Sequence, residues 1–509
     1  TLPNDTGTSG QLLTTNGSGV TSWATVSASA SFEATADGAI ANGDPCVILP
    51  DGKVQAVSKT GQTALAGSEA QFDNTLLLSN DVEYHPVADR VVAVYRDNGD
   101  SNKGKAALGT ISGDSITWNT TNSTYESASE ARFNQVVYDE KNERMVILYN
   151  HLLNGGYALV MSISGNTITY GTALNFHTGD CQELAAVYDP SSGKIVACYR
   201  DSQDSSKQKS NVLTVDPANN QITSGPAVEV PSVSADAQCE LVYDPSSQAV
   251  VLALKDQNNS NNSAAVVGRV AGTSMTWGSK NVFQTLATAS EANTISMTYD
   301  ESIKRIVIFW HETGSHNKAL TAFVDGYSMT FGPEFNVDTV NSRHTDVVYD
   351  PSVGKCCFVY RDDDDSTDHG VFRYGKVRAD GVDLDSEVEF MNDQNSKNQI
   401  CYVSRHRRVF IIADKQVSGT SSCRGVVVRG AGPFTNLEAA NYIGIAGAAY
   451  SDAATATIQI ASAVDDAQSG LRIGQKYFVQ RDGSLAVTPD FPEVFAGTAV
   501  SATKLIVKG

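Results

Sequence analysis

One unit recurs through the middle of this chain and dictates what it can fold into. Leu241-Val-Tyr-Asp-Pro-Ser-Ser-Gln-Ala-Val-Val-Leu-Ala-Leu-Lys-Asp256 reads as two β-strands joined at a turn. Pro245 cannot donate to a ladder and Asp244 favours turns, so Tyr-Asp-Pro stops the first strand. The second strand is an apolar run that ends in a charged pair. Variants of the unit occur seven times, anchored at Tyr84, Tyr138, Tyr188, Tyr243, Tyr299, Tyr349 and Tyr402, which are 54, 50, 55, 56, 50 and 53 residues apart. Eleven residues after the anchors come Tyr95, Tyr149, Tyr199, Leu254, Trp310, Tyr360 and Ala413. A fixed inner offset inside a variable outer spacing marks a structural repeat with loops of differing length. A period near ~50 residues points to a propeller or a solenoid.

Each repeat carries four strand-like runs; in the second copy they are Phe133–Asp139, Arg144–Asn150, Ala158–Ile163 and Thr167–Tyr170. Four antiparallel strands make a propeller blade, and closure on itself leaves only short, protected edges, which an open array cannot do. The expectation is a seven-bladed propeller over residues 67–440. With strands named A to D from the axis outward, the Tyr-Asp-Pro turn joins A to B. The B–C links start with Arg96-Asp97, Asn150-His151, Arg200-Asp201, Lys255-Asp256, His311-Glu312, Arg361-Asp362 and Asp414-Lys415. In an antiparallel blade the B–C loops and D-to-A connections share one face, where binding usually resides.

Apolar residues alternate with Ser, Thr, Asn and Gly in short runs, so the chain reads as nearly all β. No run of ~18 apolar residues implies a membrane span. The net charge of -20 argues against nucleic acid as a partner, because phosphate binding needs Lys and Arg. The eight cysteines show no CxxC spacing, and Cys198, Cys356, Cys357 and Cys401 lie in or beside apolar runs, so buried thiols of a protein assembled in a cytoplasm are expected rather than disulfides. The chain opens on Thr1 instead of Met, which suggests trimming or a further upstream segment.

Arg96, Asp97, His151, Arg200, Asp201, His311, Arg361 and Asp362 are the candidate binding residues, because they stand at the loop end of strand B in their blades. Bidentate arginine suits a carboxylated ligand, but an Arg-Asp pair that recurs with the repeat reads first as a structural ion pair. The run Asp362-Asp-Asp-Asp-Ser-Thr-Asp368 is a candidate Ca²⁺ site through Asp362, Asp363, Asp364, Asp365 and Asp368, with a solvated acidic loop as the alternative. His151, His177, His311, His316, His344 and His369 fall near loops of the same face. No GxxxxGK[ST], GxSxG or HExxH motif occurs, so no catalytic residue and no organic cofactor is expected.

Ser112-Gly-Asp-Ser-Ile-Thr-Trp118, Ser164-Gly-Asn-Thr-Ile-Thr-Tyr170 and Gly272-Thr-Ser-Met-Thr-Trp277 resemble degenerate Asp-boxes of sialidase-type propellers. In such folds the box is a turn between strands C and D, remote from the catalytic face. The resemblance therefore implies a propeller, and not by itself a sialidase.

The flanks carry a second resemblance. Gly10-Gln-Leu-Leu-Thr-Thr-Asn-Gly-Ser-Gly-Val-Thr-Ser-Trp23 reads as a hairpin with an Asn-Gly turn and resembles an element of bacteriophage tail fibres. Residues 32–57 look like a phage structural module. Its usual continuation comes only after the repeats, where Tyr442-Ile-Gly-Ile-Ala446, Ser451-Asp-Ala-Ala-Thr-Ala-Thr-Ile458, Ser469-Gly-Leu-Arg-Ile-Gly-Gln-Lys-Tyr-Phe-Val-Gln480 and Ser501-Ala-Thr-Lys-Leu-Ile-Val507 resemble a tail-associated module of marine phages. The resemblance implies an attachment segment over residues 1–31 and one β domain split into residues 32–66 and 441–509, with the propeller inserted between its parts. No strand before residue 67 is expected to share blade seven, so the split domain would clasp the ring. The expected function is a virion structural protein, such as a tail fibre or spike, that attaches to a host surface glycan or protein through propeller loops. Partners would be other virion proteins and copies of itself, three if it is a fibre, with no nucleic acid and no membrane insertion. A capsid decoration or tail adaptor protein, and a sialidase-like glycan hydrolase, are the alternatives.

Overall fold

The structure, a computed structural model, describes residues 11–15, 21–25, 30–119, 121–152, 154–260, 262–284, 295–311, 316–338, 342–363, 368–490 and 492–508. They form two units, residues 1–60 with 434–509, and residues 61–433.

The second unit is a seven-bladed β-propeller. Its A strands are Leu77–His85, Ala131–Asp139, Cys181–Asp189, Ala235–Asp244, Ile295–Asp300, Ser342–Asp350 and Gln394–Val403. Each touches the next, and the seventh touches the first, so they ring the axis. The B strands are Arg90–Asp97, Arg144–His151, Lys194–Asp201, Ala249–Asp256, Arg305–His311, Lys355–Asp362 and Arg408–Val417. The C strands are Lys103–Ser112, Gly155–Ser164, Lys207–Asp216, Asn262–Ala271, Asn317–Asp325, Gly370–Arg378 and Thr420–Arg429. Strand B is apolar almost throughout because both of its faces are covered. In blade one, Val91, Ala93 and Tyr95 pack with Phe410 and Ile412 of blade seven. Val92 and Val94, pointing the other way, pack with Met145 and Ile147 of blade two. A strand buried on both sides loses the period-two alternation and reads as a continuous hydrophobic run.

The repeat motif is explained by the A–B turn. The aspartate that ends strand A is buried and its carboxylate accepts hydrogen bonds from the turn. Asp244 takes the Ser246 amide at 2.9 Å and its hydroxyl at 2.6 Å. Asp189 does the same with Ser191, Asp300 with Ser302 and Asp350 with Ser352. These bonds satisfy the amides that the turn removes from the ladder.

Strand D is not one strand, as four runs per repeat suggest, but two. The outer edge of blade one's strand C pairs with Ser115–Trp118 along one half and with Ser123–Glu126 along the other. The aromatics of these edges wedge into the preceding blade. Trp118 donates from Nε1 to the Ala70 carbonyl at 3.2 Å and packs on Phe72 and Phe410. Trp277 donates to Ser210 Oγ of blade three at 2.8 Å. The Asp-box-like segments therefore act as inter-blade wedges.

Closure corrects the expectation for blade seven. Leu65–Ala66 and Ala70–Asp73 form its outer edge, with Val428 opposite Ala66 and Cys423 opposite Asp73. Blade seven thus takes strands A to C from one end of the repeat region and its edge from the other. The ring is latched by its own chain and begins before residue 67. Segments of two and four residues are too short to show alternation, which is why the sequence conceals them.

Among its described residues the first unit contains two five-stranded sheets. In one, strands from both parts of the chain share the order Ser31–Thr35, Thr455–Gln459, Tyr442–Ala446, Pro45–Ile48, Val54–Ala56, the two C-terminal strands lying between N-terminal ones. The other holds Val464–Asp465, Leu505–Val507, Val494–Ala499, Lys476–Val479 and Leu485–Ala486. Ile40, Cys46, Ala446 and Ile458 share one apolar cluster, and Val47, Ile445, Val479 and Leu505 another. Gln11–Thr15 pairs antiparallel with Thr21–Thr25, placing Leu13 opposite Trp23; the expected Asn16-Gly17 turn lies outside the described residues. All eight cysteines are buried free thiols.

Candidate functional site

The loop ends of the B strands hold the residues singled out from sequence, and most are engaged in holding the loops. Asp97 accepts the Gly99 amide at 2.8 Å and the Asp100 amide at 3.1 Å, and Lys105 closes on its other oxygen. Asp201 accepts the Gln203 and Asp204 amides at 3.0 and 3.2 Å. Its second oxygen meets Lys209 Nζ at 2.8 Å and His177 Nε2 at 3.1 Å. Arg96 pairs with Glu130 at 3.3 Å. Arg200 donates to Gln182 and lies 3.7 Å from Glu183. Arg361 bonds Asp363 and the Asn395 carbonyl. His151 lies 3.8 Å from Glu126 and against the Tyr157 ring, and buried His311 faces Asn317 at 3.3 Å. Such pairing shapes the face; what it leaves outermost are loop tips such as Asn98, Gln203 and Asn258, which are exposed.

The acidic run does not form the expected oxygen cage among the described residues. Asp363 is bound by Arg343 at 2.8 Å and by Arg361. Asp368, with left-handed backbone at φ 50°, accepts from Gln394 at 3.3 Å. Asp364 and Asp365 lie outside the described residues. Asp362 instead converges with His369 and Glu387, one ligand atom of each lying within 4.8 Å of the others.

A third feature was not legible in the sequence. The A strands enclose an axial cavity of about 670 Å³, which none of the eight candidate binding residues lines. Each described A strand of blades one, two, three, six and seven carries a bulge five residues before its anchor tyrosine. Ser79, Phe133, Glu183, His344 and Lys397 adopt positive φ there, between 43° and 59°. Left-handed backbone at such residues costs of order 1–3 kcal/mol each and persists where the surroundings hold it. The hold comes from the next blade around the ring. Asn134 Nδ2 donates to the Ser79 carbonyl at 2.6 Å, Asn80 to that of Lys397 at 2.8 Å, and Asn398 to that of His344 at 3.0 Å. Bulges break the A-strand ladder, and the inner edge is satisfied across blades as well. Asp81 Oδ2 accepts the Val136 amide at 2.8 Å, and Asp346 Oδ2 the Ile400 amide at 2.9 Å.

These bonds set the chemistry of the cavity in layers. At the bulges, toward the loop face, stand Glu183, His344 and Lys397. Burial, with Lys397 and Arg361 near, pushes the His344 imidazole down to about 3. Two residues further along stand Asp81, Glu240 and Asp346, and two beyond them Glu83. Burial pushes Asp81, Glu83 and Asp346 each up to about 7, and Glu240 well above the carboxylate range. Carboxyl groups so placed hold protons near neutral pH. On the opposite face a shallow cleft of about 520 Å³ runs between the A–B turns of blades three to five, lined by Tyr243, Tyr299, Pro190, Pro245 and Gln248.

No described protein family and no curated protein matches the sequence. Among solved structures, the lectin BP39L from Burkholderia pseudomallei is similar over 71% of this chain and 98% of its own, at 8% identity and a TM-score of 0.50. AofleA from Arthrobotrys oligospora is similar over 65% and 91%, at 10% identity and a TM-score of 0.41. A Trypanosoma rangeli sialidase mutant with trans-sialidase activity is similar over 78% and 58%, at 9% identity and a TM-score of 0.36.

Proposed function

We propose that the chain is a surface-attachment protein, a bacteriophage virion component of the tail-fibre or spike kind, whose propeller presents its loop face to a glycan or protein of the host. The observation that carries this reading is the construction of the first unit. Pro45–Ile48 and Val54–Ala56 are hydrogen-bonded into one sheet with Tyr442–Ala446 and Thr455–Gln459. These are the two segments that resemble halves of a phage tail-associated module. A self-latched ring set between two strands of a small domain is a head that can be exchanged without disturbing its carrier. The pairing of Arg96, Arg200 and Arg361 with Glu130, Gln182 and Asp363 supports binding rather than sialidase chemistry, since a sialidase-type site would aim its arginines at substrate. Because the fold also serves a protein named a lectin, a glycan is the first ligand class to try. Weak contacts repeated over an oligomer would supply avidity.

The test is binding of the full chain to an array of bacterial surface glycans and to marine bacterial cells, with product analysis on every hit. Binding that is retained in Gln248→Ala on the turn face but weakened in Asn98→Ala, Gln203→Ala or Asn258→Ala supports the reading. Cleavage of a glycan would replace it with a hydrolase. Failure to bind glycans and cells alike would replace it with a structural decoration or adaptor role.

A further inference from the structure

The loop end of strand B in blade six brings together side chains with the chemistry of a metal site. In blades one, three and four the aspartate near the end of strand B is met by a lysine: Lys105 at Asp97, Lys209 at Asp201, and Lys280 at Asp256. Lys105 and Lys209 stand on strand C opposite Tyr95 and Tyr199. In blade six the residue opposite Tyr360 is Val371. There the carboxylate of Asp362 converges with the imidazole of His369 and the carboxylate of Glu387, within 4.8 Å of one another.

The backbone fixes this arrangement. Asp362 donates its amide to the His369 carbonyl at 2.9 Å, which closes the intervening loop and holds the two residues face to face. Glu387 leads into the edge strand Val388–Met391, and its Oε2 accepts the buried Tyr360 hydroxyl at 2.6 Å. Tyr360 is thus a positioning residue, of the kind that orients a ligating carboxylate from behind.

We propose that Asp362, His369 and Glu387 bind one divalent transition-metal ion, with Zn²⁺ the best match. One nitrogen and two carboxylate oxygens suit Zn²⁺, whereas Ca²⁺ takes six to eight oxygens and gains little from imidazole. Ligand atoms around a tetrahedral Zn²⁺ lie about 3.4 Å apart, so small side-chain rotations complete the set. Three protein donors are the minimum set of a Zn²⁺ site, whose fourth position is taken by water or a further donor.

Calorimetric titration of the full chain with Zn²⁺, and separately with Ca²⁺, tests the site. The expected result is one saturable Zn²⁺ per chain, with affinity at least tenfold weaker in both Glu387→Gln and His369→Gln. Tyr360→Phe should weaken it several-fold while leaving the stoichiometry at one. Melting curves in excess chelator should overlay for wild type, Glu387→Gln and His369→Gln, separating loss of metal from loss of fold. No saturable Zn²⁺ binding, unchanged affinity in both ligand variants, or tighter Ca²⁺ than Zn²⁺ would each overturn the assignment.

Discussion

Arg408 of blade seven donates from Nε to Oδ1 of Asp114 in the C–D turn of blade one at 2.7 Å, across 294 residues of sequence. Arg429 takes the other oxygen at 2.8 Å. The contact is the ring-closing member of a series. The residue that opens strand B reaches into the C–D turn of the next blade: Arg90 to Asn166 at 3.1 Å, Arg144 to Asn220 at 3.1 Å, and Lys194 to the Gly272 carbonyl. Where that position is Ala249, Arg269 reaches the Gly326 carbonyl instead, at 3.1 Å.

Removing Asp114 should therefore loosen the seam between the last blade and the first. Both arginines would lose a charge-assisted acceptor in a partly buried place, a loss of about 2 kcal/mol. Asp114→Ala should lower the melting temperature more than Asn166→Ala, which removes one neutral acceptor at an ordinary seam. Scanning calorimetry of both variants decides it; equal melting would mean that the seam carries no special load.

The latch strand gives a second prediction. Phe72 is buried, packs edge-on against Tyr95 at 5.4 Å and meets Trp118 at 4.6 Å. Its truncation opens a cavity between blades seven and one. Phe72→Ala should cost about 3–5 kcal/mol. Limited proteolysis should then cut the chain near Leu65–Asp73 first, because the edge strand is held by its side chains and few ladder bonds. Cleavage elsewhere would argue against residues 65–73 as the clasp.

The repeat, the all-β class and the propeller were legible because their signals are local. An apolar strand B and a Tyr-Asp-Pro turn can be read within sixteen residues, as in Leu241–Asp256. The latch was not legible, since Leu65–Ala66 gains meaning only opposite Val428 and Arg429. Nor were the bulges, because nothing in Ser79, Phe133, Glu183, His344 or Lys397 as residue types favours positive φ in common. A recurring base six residues after the anchor, at Arg90, Arg144, Lys194, Arg305, Lys355 and Arg408, was the visible trace of the inter-blade series. In the candidate metal cluster, Asp362 and His369 stood out locally, whereas Glu387 arrives from the far edge of the blade.

Asn134 allows the bulges to be tested. Its side chain is buried and spans from the blade-two A strand to the Ser79 carbonyl at 2.6 Å. Asn134→Ala leaves that carbonyl without its donor and the left-handed Ser79 without its support. The expected loss is about 1–3 kcal/mol. Ser79→Gly in the same background should restore part of it, because glycine accepts positive φ at little cost. Failure of Ser79→Gly to restore any stability would show that the Asn134 bond, and not the backbone conformation, is the term that matters.

The cavity carboxyls set the last prediction, on pH. Asp81, Glu83 and Asp346 each titrate near 7 in the folded ring, Glu240 is also raised by burial, and unfolding returns them to ordinary carboxylate values near 4. A carboxyl whose folded pKa is raised binds its proton more tightly in the folded state. Its contribution is complete below about pH 4 and is lost as the pH rises through 7. From these groups, the propeller should be more stable at pH 5 than at pH 8, by about 1–2 kcal/mol per carboxyl once solvent in the cavity is allowed for. Histidines held low by burial, His85 and His344, bias the whole chain the other way over this range, so the difference between variants is the quantity to read. Asp81→Asn with Asp346→Asn keeps an acceptor for the Val136 and Ile400 amides and removes two of the titrating groups. Relative to wild type, the double variant should gain stability steadily between pH 5 and 8. A constant difference across that range would mean that Asp81 and Asp346 are already ionised at pH 5, paired across the seams and not protonated in the channel.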